Sequence, residues 1–512
     1  MFGSGCAASA MEDHAVTLAL SRRSMLHGSA ALAATSLLIG GFSTVAVSDD
    51  RVARRSNLTL RVQEVNGRPT YNGLSPGPTI VADPGDTIDV HLINDLPALH
   101  DDCVDNHNSF HGLNTTNLHT HGLHVSPTTD SSGRFDADNV FVRVVPKNQV
   151  VPCADVVTAD VKTVRWHENR FRFETGADHP SGTFWYHAHK HGSTFQQVAA
   201  GLSGPLIIRD RPGAMPEYIA RASEKILMIM NQGLVLTDPN GGGTAGPTIA
   251  MHPGEVQRWR IINAQAAGNS FAYIQSNVPG LEIYQIAFDG LTLHRRIKVD
   301  QGNDDEPWLN PAALAPGNRT DFIVRVPPDA KESSFSIPVI REVREALGLS
   351  GAIASEIKID ISGRPLNSAW SDDDTLPGPG LEPFDDVPRS RRKIMFSPQF
   401  RIDGQAYDGR VKHSVPLGAK EEWTVYNNTG GVHAFHIHVN PFFVTHVNGV
   451  ELARDDPLRR WQDTVGLPYG DDGPGSVTFR TRFETFTGKF VIHCHILRHE
   501  DLGMMQIVEV TG

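Results

Sequence analysis

Cysteine is scarce in this chain, with four in 512 residues. Cys6 falls in an N-terminal leader, and Cys494 sits between two histidines. Only Cys103 and Cys153 remain to form a single disulfide in an oxidising compartment. Aromatic residues make up 7% of the chain, so no stacking platform for bases stands out. Positive charge is also short: the net charge is −12 and the pI is near 6.0. That gives no support for nucleic acid or an anionic membrane as partner, and is compatible with cationic substrates. Helix-period patterns of any length are missing. Ten methionines are present without a methionine-rich cluster.

Gly and Pro are plentiful, at 47 and 33. From Leu58 onward, short alternating strands such as Leu58–Val62, Thr79–Val81 and Thr87–Leu92 are separated by turns such as Ser75–Pro78 and Asp83–Gly85. Short strands with frequent turns indicate an all-β sandwich or barrel architecture. The length suits about three domains. Residues 1–48 carry Ser21-Arg-Arg-Ser-Met-Leu-His27 ahead of a small-residue apolar stretch, which reads as a twin-arginine signal peptide. Export to the periplasm or beyond, with no stable membrane insertion after cleavage, is the expectation. Domain one is expected at 49–211, domain two at 212–362, a Pro/Gly/Asp-rich linker at 363–390 and domain three at 391–512. Residues 98–113 read as a polar surface insertion. Domain two holds only His252 and His294 and reads as a metal-free spacer.

The 24 histidines cluster in four stretches. The last is Phe490-Val-Ile-His-Cys-His-Ile-Leu-Arg-His-Glu-Asp-Leu-Gly-Met504. Successive strand residues point to opposite faces, so His493 and His495 share a face and Cys494 points away. Cys, His and a weak axial Met form the soft set of a blue-copper site. Asn117-Leu-His-Thr-His-Gly-Leu-His124 puts His119 and His121 on one face and His124 on the other. In Gly182-Thr-Phe-Trp-Tyr-His-Ala-His-Lys-His-Gly192, His187, His189 and His191 share parity. The first two sit behind the apolar run and His191 at the mouth. In Gly431-Val-His-Ala-Phe-His-Ile-His-Val439, His436 and His438 share a face and His433 opposes them. The simplest assembly joins His433, Cys494 and His499 in one site. It gathers the remaining imidazoles, four from each end of the chain, in a second site suited to three metal ions. Imidazole with thiolate selects copper, with zinc as competitor.

These four motifs resemble those of the multicopper oxidases, in particular bacterial three-domain members of the laccase and cuprous-oxidase type, over nearly all of the mature chain. The resemblance implies three consecutive cupredoxin-like Greek-key β-sandwich or barrel domains. It implies four copper ions: one type 1, one type 2 and a type 3 pair. His119 and His121 would give one type 2 and one type 3 ligand. His187, His189, His438, His493 and His495 would be type 3 ligands and His436 type 2. His433, Cys494, His499 and Met504 would hold type 1. The resemblance also implies acids that relay protons, for which Glu500 and Asp130 match, with Asp136 and Asp138 as replacements for Asp130. Ala434 departs from the family's usual proline at that place. A small-molecule reducing donor (phenols or aromatic amines) and dioxygen are the expected partners, and a monomer the expected state. The alternatives are a metallo-oxidase for Cu(I), Fe(II) or Mn(II), with Asp455, Asp456 and Asp463 lining its metal site, and a non-enzymatic copper-binding or assembly protein.

Overall fold

The computed structural model describes residues 55–149, 163–266, 271–274, 280–299, 309–341, 352–381, 384, 388–469 and 473–512. The leader and Cys153, and with it the expected Cys103–Cys153 pairing, lie outside these residues. Among the described residues strands dominate, and the three helices, Thr194–Ala200, Glu217–Ala220 and Leu497–Asp501, are short. No helix among the described residues is long and apolar enough to cross a membrane.

With Arg143–Val145 and Val164–Trp166 in a separate two-stranded sheet, most strands form three sheet pairs. In the first, a sheet ordered Arg68–Tyr71, Arg55–Val65, Thr87–Asn94, Glu168–Glu174 faces one ordered Ile80–Ala82, Ser203–Ile208, Gly182–His187, His119–His121. Leu60, Val62, Phe171 and Phe173 from the former meet Phe184, Tyr186 and Leu206 from the latter in one core. A second pair is built from strands between Ser223 and Ile361, and a third from strands between Ser390 and Thr511, each around its own core.

The outer strands show why they are strands. In Glu168–Glu174, Asn169, Phe171 and Phe173 are buried while Glu168, Arg170 and Glu174 are exposed, the alternation of a sheet with one wet face. The histidine-bearing strands break that pattern. Gly182–His187, His433–Ile437 and the last five residues of Gly488–Cys494 are buried on both faces. One face of each joins its own core, as Phe490, Ile492 and Cys494 do. The other face, carrying His493, is turned toward the histidines of the first sheet pair.

Candidate metal centre

Register sets the histidines in place. His119–His121 pairs antiparallel with Gly182–His187, putting His119 opposite His187. His433–Ile437 pairs antiparallel with Gly488–Cys494, putting His436 opposite His493. The two strand pairs meet face to face, with His119 stacked on His438 and His121 on His436, each at 3.9 Å between ring centroids. Potential ligand atoms of His121, His187 and His495 converge within 4.8 Å, as do those of His189, His438 and His493, and of His119, His121 and His436.

These imidazoles are buried, yet several of their nitrogens have no partner: His119 Nε2, His187 Nε2, His436 Nε2, His438 Nδ1 and His495 Nδ1. Others crowd one another, with His189 Nε2 and His438 Nε2 each 3.2 Å from His493 Nε2. A buried polar atom left unpaired costs about 1–3 kcal/mol. Convergent, unpaired lone pairs are what metal ions satisfy. Burial, then the neighbouring imidazoles, holds His119, His121, His438, His493 and His495 well below the ordinary histidine value, and His189 is lowered to about 3, chiefly by burial. The rings are therefore neutral, which is the ligand form. Several carry a proton-directing partner on the other nitrogen: His187 Nδ1 donates to Ala188 O (2.9 Å), His493 Nδ1 to Cys494 O (3.1 Å) and His436 Nδ1 to Asp463 O (2.9 Å). Such bonds fix which nitrogen faces a metal.

The second site lies on the opposite face of the same strand. Cys494 Sγ is 3.3 Å from His433 Nδ1 and 3.7 Å from His499 Nδ1. The Cys494 N–H donates to Met504 O (3.0 Å), and Met504 is buried in the same core. Cys494, His433 and Met504 are buried, whereas His499 is partly exposed. Burial pushes the thiol up to about 12 and lowers His433 to about 3 and His499 to about 4.

Three acids touch the large cluster. Asp138 lies 2.9 Å from His119 Nδ1 and accepts from the Thr120 N–H (2.9 Å); burial raises it to about 7. Glu500 reaches to 3.6 Å from both His189 Nδ1 and His493 Nδ1 and accepts from Thr194 Oγ1 (3.2 Å). Burial, then the adjacent Asp501, raises it well above the usual carboxyl range. Asp463 lies 3.1 Å from His121 Nε2. Against the upward push of burial, Arg319 holds it down to about 2.

Several expectations need correction. Asp130 is not at the cluster: in an exposed turn it accepts from Ser132 Oγ (2.7 Å) and the Arg134 N–H (2.9 Å). Asp138, one of its two suggested replacements, is the acid of this loop that lies beside His119, because the chain after Asp130 turns inward. Asp136 is buried elsewhere, bound by Asn169 and Arg165. Asp463 does not line an open metal site near His499. It lies beneath Arg319, whose Nη1 and Nη2 donate to its two oxygens at 2.8 and 2.7 Å. Asp455 and Asp456 line a cavity of about 140 Å³ with Arg295, Arg454 and Arg459.

Insertion 98–113 is not merely surface. Asp102 and His111 are buried, and His107 and His111 join His191 in a cavity of about 280 Å³ that reaches His189. Domain two, expected as a spacer, reaches the cluster through its own residues. Arg319 and Asp289 clamp Asp463. Gly317, at φ 98°, backs the cluster so closely that a Cβ there would lie 3.0 Å from His121 and His495. A Cβ at Gly122 (φ 88°) would collide with Arg319, a reason for the glycine after His121. His124, of opposite parity, donates from Nδ1 to Val439 O (2.7 Å).

The family description "Multicopper oxidase" matches residues 162–213 and 383–512. The multicopper oxidase mco of Staphylococcus haemolyticus is 25% identical over 466 residues, covering 86% of this chain and 83% of its own. A Bacillus subtilis laccase is 24% identical, covering 86% and 90%. Among solved structures, a Campylobacter jejuni multicopper oxidase described as a metallo-oxidase superposes with TM-score 0.63 at 22% identity, over 90% of this chain and 92% of that one. The fold is thus the cupredoxin-like, all-β fold of these proteins. The buried thiol and unpaired imidazoles fit the copper that the family uses. Together these likenesses support a bacterial three-domain multicopper oxidase, an oxidoreductase whose histidine clusters are compatible with the copper that the family implies.

Proposed function

We propose that the chain is a laccase-type oxidase for small phenols or aromatic amines, with dioxygen as acceptor and four copper ions. The observation that carries this reading is the single strand Gly488–Cys494, whose Cys494 joins one site while its neighbours His493 and His495 join the other. A donor site and a cluster are then linked through three consecutive residues. His433, Cys494, His499 and Met504 would hold one copper. His119 and His436 would hold a second. His121, His187 and His495, and His189, His438 and His493, would hold a pair. When bound, copper supplies one-electron chemistry: four single electrons from the donor reduce one dioxygen, with four protons, to two waters.

The chain's own residues handle the protons. Burial holds the Glu500 carboxyl well above its usual range, and its oxygens face His189 and His493. Asp138, raised to about 7, exchanges its proton near neutrality beside His119. Both acids are shielded from solvent, so a proton given up must be replaced along the protein. The leader supports export, and one chain supplying both halves of the cluster supports a monomer.

The test is oxygen uptake by the copper-loaded protein with a phenol and with Cu(I) in parallel, corrected for uncatalysed oxidation. Faster turnover of the phenol is expected. Faster turnover of Cu(I) would replace this reading with a metallo-oxidase, and no uptake from either would overturn it.

Copper loading at Cys494 has a predictable pH dependence. The thiol is raised to about 12, so binding must expel one proton throughout the neutral range. His433 and His499, at about 3 and 4, are already deprotonated there and expel none. Affinity at this site is therefore expected to rise about tenfold per pH unit between pH 6 and 8. Titration of the blue absorption band against a competing chelator measures it. A flat profile would contradict a protonated thiol in the metal-free site.

A further inference from the structure

Two turns follow the strand Ser390–Ser397, and they are made of different materials. The later one uses Asp403 and Gly404, both at positive φ (52° and 74°), between Ile402 and Gln405. Asp and Gly are residues such turns favour. The earlier one uses Gln399 and Phe400, again both at positive φ (63° and 58°), before Arg401 pairs back with Ser397. Left-handed backbone is costly for any residue with a Cβ, and a bulky side chain there is an outlier. Turn geometry alone would be served better by Asn or Gly.

The strained pair fixes the Phe400 ring. Its centroid lies 4.8 Å from that of His499, with the planes at 35°. Phe400 is partly buried and packs on the core that contains Cys494 and Met504. His499 is the one ligand of this site with partial exposure, since His433, Cys494 and Met504 are buried. Phe400 therefore covers a face of the most exposed ligand of this site.

We propose that Phe400 is a specificity-determining residue: by shielding the His499 ring it admits slim donors and holds off phenols with bulky groups on both sides of the hydroxyl. This rests on the reading of His433, Cys494 and His499 as the copper site that receives the donor's electrons. Strain at a functional site is tolerated where surrounding structure over-determines it. Here the strain holds an aromatic ring over an imidazole that would otherwise be more open.

The experiment compares wild type, F400A, F400L and Q399G, each copper-loaded, with copper content and the blue band measured first. The donors are a phenol free at both ortho positions and a 2,6-disubstituted phenol. F400A is expected to raise kcat/KM for the disubstituted phenol at least about tenfold, mainly through KM, and to change the unhindered phenol by less than about twofold. F400L should fall between, and Q399G should match wild type on both. An unchanged ratio between the two phenols in blue, copper-loaded F400A would overturn the proposal. So would loss of copper from both Phe400 variants but not from Q399G, which would make the ring structural. A wild type that binds copper without the blue band, or oxidises neither phenol, would instead defeat the functional reading beneath it.

A second readout needs no turnover. In the metal-free chain, F400G is expected to melt above F400A despite its smaller side chain, because glycine adopts positive φ without penalty. If the alanine variant melts at the same temperature or higher, the turn stores no strain and the ring is not held against a cost.

Discussion

Replacing Arg319 with methionine is expected to lower folding stability by about 3–5 kcal/mol, the cost of stripping a buried charge network of its cation. Arg319 is fully buried. It forms a two-pronged bond to Asp463, donates from Nη2 to Asp289 O (2.9 Å) and from Nε to Thr183 O (3.2 Å). It thus pins segments from all three sheet pairs around the cluster. Methionine fills similar volume but leaves two buried acids, Asp463 and Asp289, without their positive partner. Burial, then opposed by His436 without Arg319, pushes Asp463 upward, and its contact with His121 Nε2 changes character. Because Asp463 is depressed in the folded chain, its contribution is complete above the ordinary carboxylate range and is lost as pH falls toward 2. The deficit of the variant is therefore full at pH 7. Urea unfolding of the metal-free proteins at pH 7 measures it. Copper per chain should fall with it while the blue band of the Cys494 site persists, because Arg319 contacts only the cluster side. A loss below 1 kcal/mol would mean that the network is not cooperative.

Nothing in the residues around Arg319 announces that role. It lies in the strand Arg319–Arg325 of the histidine-poor middle segment, buried along nearly its whole length, and its partners Thr183, Asp289 and Asp463 are far away in sequence. What was legible obeys a local rule. Side chains alternate along a strand, so parity alone separates Cys494 from His493 and His495, and the structure makes the same separation. His124 falls outside this rule, because the strand ends at His121 and Gly122 turns the chain. Where the chain leaves regular strands, parity gives no purchase. Asp130, Asp136 and Asp138 sit in one loop, and only the turn that buries Asp138 against His119 chooses among them. Insertion 98–113 looked like surface because it is polar. Its burial comes from tertiary partners, among them Lys190 Nζ donating to His111 O at 2.7 Å. Phe400 was equally unreadable, since a phenylalanine after Pro398-Gln399 carries no signal that its backbone is left-handed.

The largest effect of removing the metal should appear in acid. Nine ligand imidazoles have folded-state values depressed by burial: His119, His121, His187, His189, His433, His438, His493, His495 and His499. Unfolded, each takes a proton near its ordinary value of about 6.5. Folded, it resists until far lower pH. Every such proton favours unfolding, so this group destabilises the chain as pH falls below about 6.5. Four carboxyls work in the other direction. Asp138 and Asp501 are raised to about 7, Asp289 to about 6, and Glu500 is raised well above its usual range. They hold protons in the folded chain that the unfolded chain would release, which supports the fold in acid and weakens it as pH rises. Among these groups, nine against four leaves about five protons in favour of unfolding, and the depressed His107, His111, His124, His179, His191 and His413 add to the same side. At about 1.4 kcal/mol per proton per pH unit the slope is roughly 7 kcal/mol per unit. A typical total stability is about 5–15 kcal/mol, so one to two pH units exhaust it. The metal-free chain should therefore unfold between about pH 6 and 4.5. Bound copper competes with protons for the same lone pairs, and the loaded chain should hold its fold at least about one pH unit lower. Circular dichroism against pH, on both forms of the full chain, decides the matter. A common acid midpoint would show that the imidazoles are hydrated and free to titrate in the metal-free fold, and that copper does not stabilise the fold through them.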